Sequence, residues 1–293
     1  MKFSSVKELL TICKNEDKKI SEVMIETEME TREKSKDEII NEMRNSLKVM
    51  ENAIERGLTE DIKSRSGLSG GDGKKLYEYL ASGNYLSGST IIEAVSKSVA
   101  TSEVNAAMGT VVATPTAGSV GILPGTIFSV ANRLDSPEED KINALFTAGA
   151  IGLVIANNAF ISGAAGGCQA EVGSATAMAA AAIVEMAGGT PEQSTDALAI
   201  ALKNLLGLTC DPVAGLVEVP CIKRNAMGAA HALIAADMAL AGIRSVIPAD
   251  EVIETMYRIG CAMPISLKET AMGGLADTNT ARKIELKLFG EKL

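Results

Sequence analysis

Roughly residues 142–240 consist of Ala, Gly, Ile and Met at helical spacing, and no other stretch restricts the fold as much. Small side chains let helix axes approach closely, so this stretch predicts a compact bundle around a buried central helical hairpin. Aromatics are only 3% of the chain and Trp is absent. Alternating runs of Val, Ile, Thr and Tyr joined by hairpin dipeptides do not occur, so no sheet is expected. The expected class is all-α. Ala148–Gly167 approaches the length of a bilayer span. Asn157, Asn158 and Ser162 interrupt it, and neither a basic cluster nor an aromatic belt flanks it, so it reads as a buried helix.

The 293 residues are read as one domain, 1–293, with 1–65 as a peripheral helical segment. In that segment Val6, Leu9, Leu10 and Cys13 form one helical stripe, which makes Cys13 a packing residue. Ile39, Ile40, Met43, Leu47, Met50 and Ile54 form a second stripe, and Gly57 is the expected helix stop. The charges between Asn15 and Arg44 read as a solvated face.

The net charge is −9, with 28 basic residues dispersed among 37 acidic ones, which argues against a nucleic-acid partner. No basic segment followed by an apolar run opens the chain, so no signal peptide is expected. Five cysteines, an odd number without framework spacing, point to a reducing compartment, by default the cytoplasm.

Local signals place the joints. Ser66–Lys75, SGLSGGDGKK, lacks the phosphate-loop spacing and reads as a flexible loop or lid. Thr90 and Glu93 have capping-box spacing. Asp135-Ser136-Pro137-Glu138 predicts a helix start capped by Ser136, and Thr190-Pro191-Glu192-Gln193 predicts another. Thr114–Gly125, TPTAGSVGILPG, holds three glycines and two prolines and cannot be ordinary helix. Its hydroxyls and free N–H groups suit a carboxylate ligand as well as a plain connector.

Three cysteines stand beside breaks in helical pattern. Cys168 follows Gly166-Gly167, Cys210 precedes Asp211-Pro212, and Cys221 follows Pro220. The intervals, 42 residues from 168 to 210 and 11 from 210 to 221, match neither a zinc pattern nor a ferredoxin run. Buried packing residues and ligands of an iron–sulfur cluster with one iron uncapped both remain open on spacing alone. His231, the only histidine, lies nearly three helical turns past Cys221, about 15 Å along an axis, and reads as structural. Ala281–Leu293 reads as a frayed tail.

The segments GGCQAEVGSA, LTCDPVAGLVEVPC and PCIKRNAMGAA, together with PTAGSVGILPG, resemble the iron–sulfur L-serine dehydratases, specifically the α subunit of the two-chain bacterial type. The likeness extends through GGLADT, over nearly the whole chain. It implies that Cys168, Cys210 and Cys221 ligate a [4Fe–4S] cluster and that no pyridoxal phosphate is used. The segment SEVNAAMG resembles a stretch near the family's active site and brings in Glu103 and Asn105. Single-chain relatives carry a cysteine on a C-terminal tail and an S-S-S-H-T stretch in their other domain. This chain has neither, so the resemblance implies half of an enzyme completed by a β subunit.

The implied activity is deamination of L-serine to pyruvate and ammonia, with an iron lacking a protein ligand as Lewis acid toward the hydroxyl. Thr114, Thr116, Ser119 and Asn225 are candidates for holding the substrate carboxylate, with Glu103 and Asn105 behind them. Glu171, one turn from Cys168, is the best internal carboxylate. It is expected to be ionised and weakly basic, which leaves the base to the β subunit. The alternative is a non-catalytic iron–sulfur carrier or oxygen sensor with Cys261 or Cys13 as fourth ligand.

Overall fold

The computed structural model describes residues 2–290. Thirteen α-helices follow in order: α1 Val6–Glu16, α2 Ile20–Arg32, α3 Lys36–Thr59, α4 Asp72–Ser82, α5 Ser89–Ala106, α6 Ile122–Leu134, α7 Glu138–Asn158, α8 Gly163–Gly166, α9 Ser174–Met186, α10 Pro191–Lys203, α11 Cys221–Leu240, α12 Ala249–Ala262 and α13 Asn279–Phe289. Among the described residues the only β pairing is an isolated bridge between Cys210 and Lys268, so the class is all-α. No helix among them is long and apolar enough to cross a membrane.

The Ala-rich stretch forms the centre. Helix α9 is buried on every side except at its C-terminal Met186, with Ala175, Ala177 and Ala179–Ala182 fully enclosed. Helices α6, α7, α10 and α11 surround it, and α9 with α10 makes the expected central hairpin. Methyl-sized side chains allow this because they let neighbouring helix axes approach closely. The first three helices and the residue Phe3 ahead of them share the same core: Phe3, Leu9, Ile20 and Ile39 join Ile151 and Leu198 in one apolar cluster.

Helix α5 is approached closely from two directions. Gly57 of α3 rests on the Ala100 backbone, and a Cβ added at Gly125 of α6 would lie 2.6 Å from the Ala94 carbonyl oxygen. Gly57 is therefore a crossing point and not a stop, and α3 continues to Thr59. The Thr90 capping box does not form. Helix α5 starts at Ser89, and Glu93 instead accepts from Lys97 Nζ at 2.7 Å and Asn132 Nδ2 at 2.6 Å. Helix α7 starts at Glu138 with Pro137 as its cap and no side-chain bond from Ser136. The Thr190 box forms as expected, with Thr190 N donating to Gln193 Oε1 at 2.9 Å and Gln193 N to Thr190 Oγ1 at 3.3 Å. The tail is helical through Phe289, and residues 291–293 lie outside the described residues.

Candidate active site

Cys168, Cys210 and Cys221 are all buried, and three different backbone devices hold them. Helix α8 ends at Gly166, Gly167 turns at φ 78°, and Gln169–Gly173 winds as one π turn before α9 begins. A π turn adds a residue to the helical circuit and re-aims the side chains near it. Gln169 locks this joint. Its Nε2 donates to the carbonyls of Gly166 and Met256, both at 3.0 Å, and its Oε1 accepts from Gly207 N at 2.9 Å. Cys210 sits on the β bridge, where its N–H donates to Leu267 O at 2.9 Å and its carbonyl accepts from Glu269 N at 2.7 Å. Cys221 opens α11 directly after the cis Val219–Pro220 bond.

The three segments converge. The Cys168 and Cys210 thiols interact directly, and Cys221 lies within electrostatic range of Cys168. The hydrogen bond from Cys210, reinforced by the charge of Arg224, holds the Cys168 thiol below its ordinary range. Cys210, as the donor in that bond and buried, is pushed up. Burial, with the nearby Cys168, pushes Cys221 up to about 12. Arg224 is fixed at the site by Asp211 at 2.8 Å and by the Thr209 carbonyl at 2.7 Å. Asp211 also accepts from Leu275 N at 2.7 Å, which ties the GGLAD segment to the cysteines.

Two carboxylates face this group. Oxygens of Glu171 and Glu269 and the Cys210 sulfur all lie within 4.8 Å of one another, with Glu171 Oε2 at 3.9 Å from Cys210 Sγ. The close approach depends on Gly163, where an added Cβ would lie 2.6 Å from the sulfur and 2.7 Å from Glu171 Oε2. Thr116 Oγ1 donates to Glu171 Oε1 at 2.7 Å, and burial pushes the Glu171 carboxyl above the ordinary carboxylate range.

The 114–121 segment arches over Glu171. Ser119 Oγ donates to the Thr114 carbonyl at 3.0 Å, and Thr114 Oγ1 is buried without a hydrogen-bond partner. Asn225 clamps the segment to α11: its Oδ1 accepts from Gly121 N at 2.9 Å, while Nδ2 donates to Gly118 O at 2.7 Å and Cys221 O at 2.9 Å. Asn105 Nδ2 reaches Ala117 O at 3.3 Å. Thr114, Thr116, Ser119, Asn105, Asn225 and Glu171 thus belong to one assembly with the cysteines. Glu103 is spent elsewhere, on the N–H groups of Asp72 and Gly73 at 2.9 and 3.1 Å, where it caps α4. The Ser66–Lys75 loop is clasped rather than free. Ser66 Oγ and Ser69 Oγ donate to buried Glu218 at 2.7 and 2.5 Å, three residues before Cys221.

The remaining cysteines and the histidine stand apart. Cys13 packs in the apolar core, where burial and the neighbouring Glu185 push its thiol up to about 12. Cys261 is exposed on α12 beside Tyr257. His231 Nε2 lies 3.1 Å from the Ala201 carbonyl oxygen, a structural contact. Glu269, Arg224, Asp211 and Gln169 were not among the residues the sequence singles out. Glu269 reaches the site only through a bridge between segments far apart in the chain.

Three sulfurs from separate segments, with two oxygen donors at their edge, fit a soft multi-iron group. Cysteine ligands bind metal as thiolates, giving up their protons on binding. Residues 15–276 match the family model for the serine dehydratase alpha chain. The chain is 64% identical over 291 residues to a probable L-serine dehydratase, alpha chain, of Bacillus subtilis (strain 168), covering 99% of this chain and 97% of that one. It is 41% identical over 289 residues to the L-serine dehydratase, alpha chain, of Peptoniphilus asaccharolyticus, covering 99% of each. Against L-serine dehydratase 1 of Escherichia coli (strain K12) the identity is 40% over 280 residues, 94% of this chain but only 61% of the relative. The chain belongs to the serine dehydratase alpha chain family.

Proposed function

We propose that this chain is the cluster-bearing subunit of an L-serine ammonia-lyase, working with a β subunit to convert L-serine to pyruvate and ammonia. The observation that supports this reading is the buried pairing of Cys168 with Cys210 beside Glu171, with Cys221 in electrostatic range, in a chain of this family. The three cysteines would hold a [4Fe–4S] cluster, which takes the place a pyridoxal cofactor has in other deaminases. When bound, the cluster supplies Lewis acidity at an iron without a protein ligand, which eases departure of the β-hydroxyl.

The chain's own residues do the rest. Thr116 occupies Glu171 Oε1, leaving Oε2 beside Cys210 to hold the proton that departs with the hydroxyl as water. The unpartnered Thr114 hydroxyl and the N–H groups of the 114–121 segment receive the substrate carboxylate, while Thr116 and Ser119 hold the segment's shape through Glu171 and the Thr114 carbonyl. Asn225 acts through that segment, since its amide is taken up by Gly121, Gly118 and Cys221. Asn105 supports Ala117 from the other side. The Cα proton leaves to a base on the β subunit, giving aminoacrylate, which tautomerises and hydrolyses in water. A partner is also supported by the relatives of Bacillus subtilis and Peptoniphilus asaccharolyticus, each described as an alpha chain.

The test is anaerobic purification, reconstitution with iron and sulfide, and a pyruvate assay with L-serine before and after addition of the β subunit. Pyruvate is expected only with both chains present. Turnover by this chain alone would return the base to Glu171 or His231, and a cluster with no response to serine in the complete enzyme would sink the assignment.

A further inference from the structure

Every acid around the cysteines except Glu269 has a protein donor. Glu171 accepts from Thr116, Asp211 from Arg224 and Leu275, and Glu218 from Ser66 and Ser69. The Glu269 side chain is partly exposed, and among the described residues no hydrogen bond or ion pair engages it. It is nonetheless held in place. Its N–H donates to the Cys210 carbonyl at 2.7 Å, so its backbone moves with a cysteine of the site. A carboxylate oxygen stays within 4.8 Å of both the Cys210 sulfur and a Glu171 oxygen. Arg224, the cation whose charge acts on these cysteines, is engaged by Asp211 and the Thr209 carbonyl. Crowded negative groups with no protein cation between them favour a cationic ligand.

L-serine brings one. Its carboxylate and hydroxyl call for donors and a Lewis acid, whereas its α-ammonium calls for a carboxylate acceptor that protein donors do not already occupy. We propose that Glu269 is the specificity residue that receives the α-ammonium of the substrate, with Glu171 adding to the negative field. The inference rests on reading the cysteine site as the active site. It makes the amino group, and not only the hydroxyl and carboxylate, a condition of binding.

The experiment uses the cluster-loaded two-chain enzyme, wild type and Glu269→Gln, with L-serine and 3-hydroxypropionate, which keeps the hydroxyl and carboxylate but lacks the amino group. Binding is read from the ligand-induced change in the cluster spectrum, alongside iron content and pyruvate formation. Loss of a charge-assisted contact is expected to weaken L-serine by about 10- to 100-fold in Glu269→Gln. Binding of 3-hydroxypropionate should stay within about threefold of wild type, and Glu269→Asp should recover part of the serine affinity. Equal weakening of both ligands, undiminished serine binding, or loss of iron from Glu269→Gln would overturn the proposal. A wild-type enzyme whose spectrum and product assay ignore serine defeats the proposed function itself, a result separate from anything the variant shows.

Discussion

Helix α9 is bracketed by two buried glutamates whose surroundings differ. Glu171 lies in the π turn at its N-terminal end and Glu185 near its C-terminal end, and burial pushes both carboxyls above their ordinary range. Glu185 accepts from the N–H groups of Ile20 and Ser21 at 3.0 and 3.4 Å and closes the start of α2, a cap supplied from elsewhere in the chain. Glu171 accepts from the Thr116 hydroxyl and the Gly163 backbone and faces a thiol and a second carboxylate. A raised carboxyl thus marks burial in both places, and only the company it keeps separates a structural acid from a chemical one.

The largest effect that tests this contrast comes from the sulfurs. Cys210→Ala is expected to abolish serine turnover and most of the thiolate-to-iron absorbance near roughly 400 nm, whereas Cys13→Ala keeps both. An active, coloured Cys210→Ala enzyme would remove the chemical meaning of the Glu171 end altogether.

Exchanging the two glutamates separately sharpens the comparison. Glu171→Gln should retain its iron and lose about 10²- to 10⁴-fold in kcat, the range for a lost proton-transfer group. Glu185→Gln should leave kcat unchanged and alter the pH dependence of stability instead. Because the folded state holds the Glu185 proton more tightly than the unfolded chain, wild-type stability falls as pH rises from the ordinary carboxylate range through the raised folded value. Thermal unfolding of Glu185→Gln across that interval should lack this decline. A decline as steep as wild type would mean that Glu185 is not its source.

The smallest effect concerns the hydroxyl that orients Glu171. Thr116→Val removes one hydrogen bond to a carboxylate and is expected to lower kcat by about tenfold, with cluster content preserved. Unchanged kinetics would place Glu171 under the control of packing against Gly118 and Gly163 rather than of Thr116.

Much of this was readable before any coordinates. The Ala-rich centre announced helices because its periodicity and small volumes are local properties, and the Thr190 box formed because all its atoms lie within one turn. The breaks at Gly166-Gly167 and Pro220 marked where a thiol leaves the helical pattern, since Gly and Pro act on their own residue. Other local rules lost to tertiary partners. Glu93 left its box for Lys97 and Asn132, and Gly57 serves a helix crossing where a C-cap was expected.

The sequence by itself therefore determined the helical class, the joints, and three cysteines beside those joints. It determined their iron–sulfur reading only with the help of family likeness, because spacing left packing and ligation both open. Tertiary structure alone decided that the Cys168 and Cys210 thiols pair with Cys221 in electrostatic range, that Asn225 is consumed as a clamp, and that Glu103 caps α4 away from the cysteines. It also brought Glu269 and Arg224 to the site. These are long-range outcomes: one backbone bridge carries Glu269 to Cys210, and one ion pair with Asp211 aims Arg224. Periodicity and capping rules act within a turn or two of chain, so they have no term for such encounters.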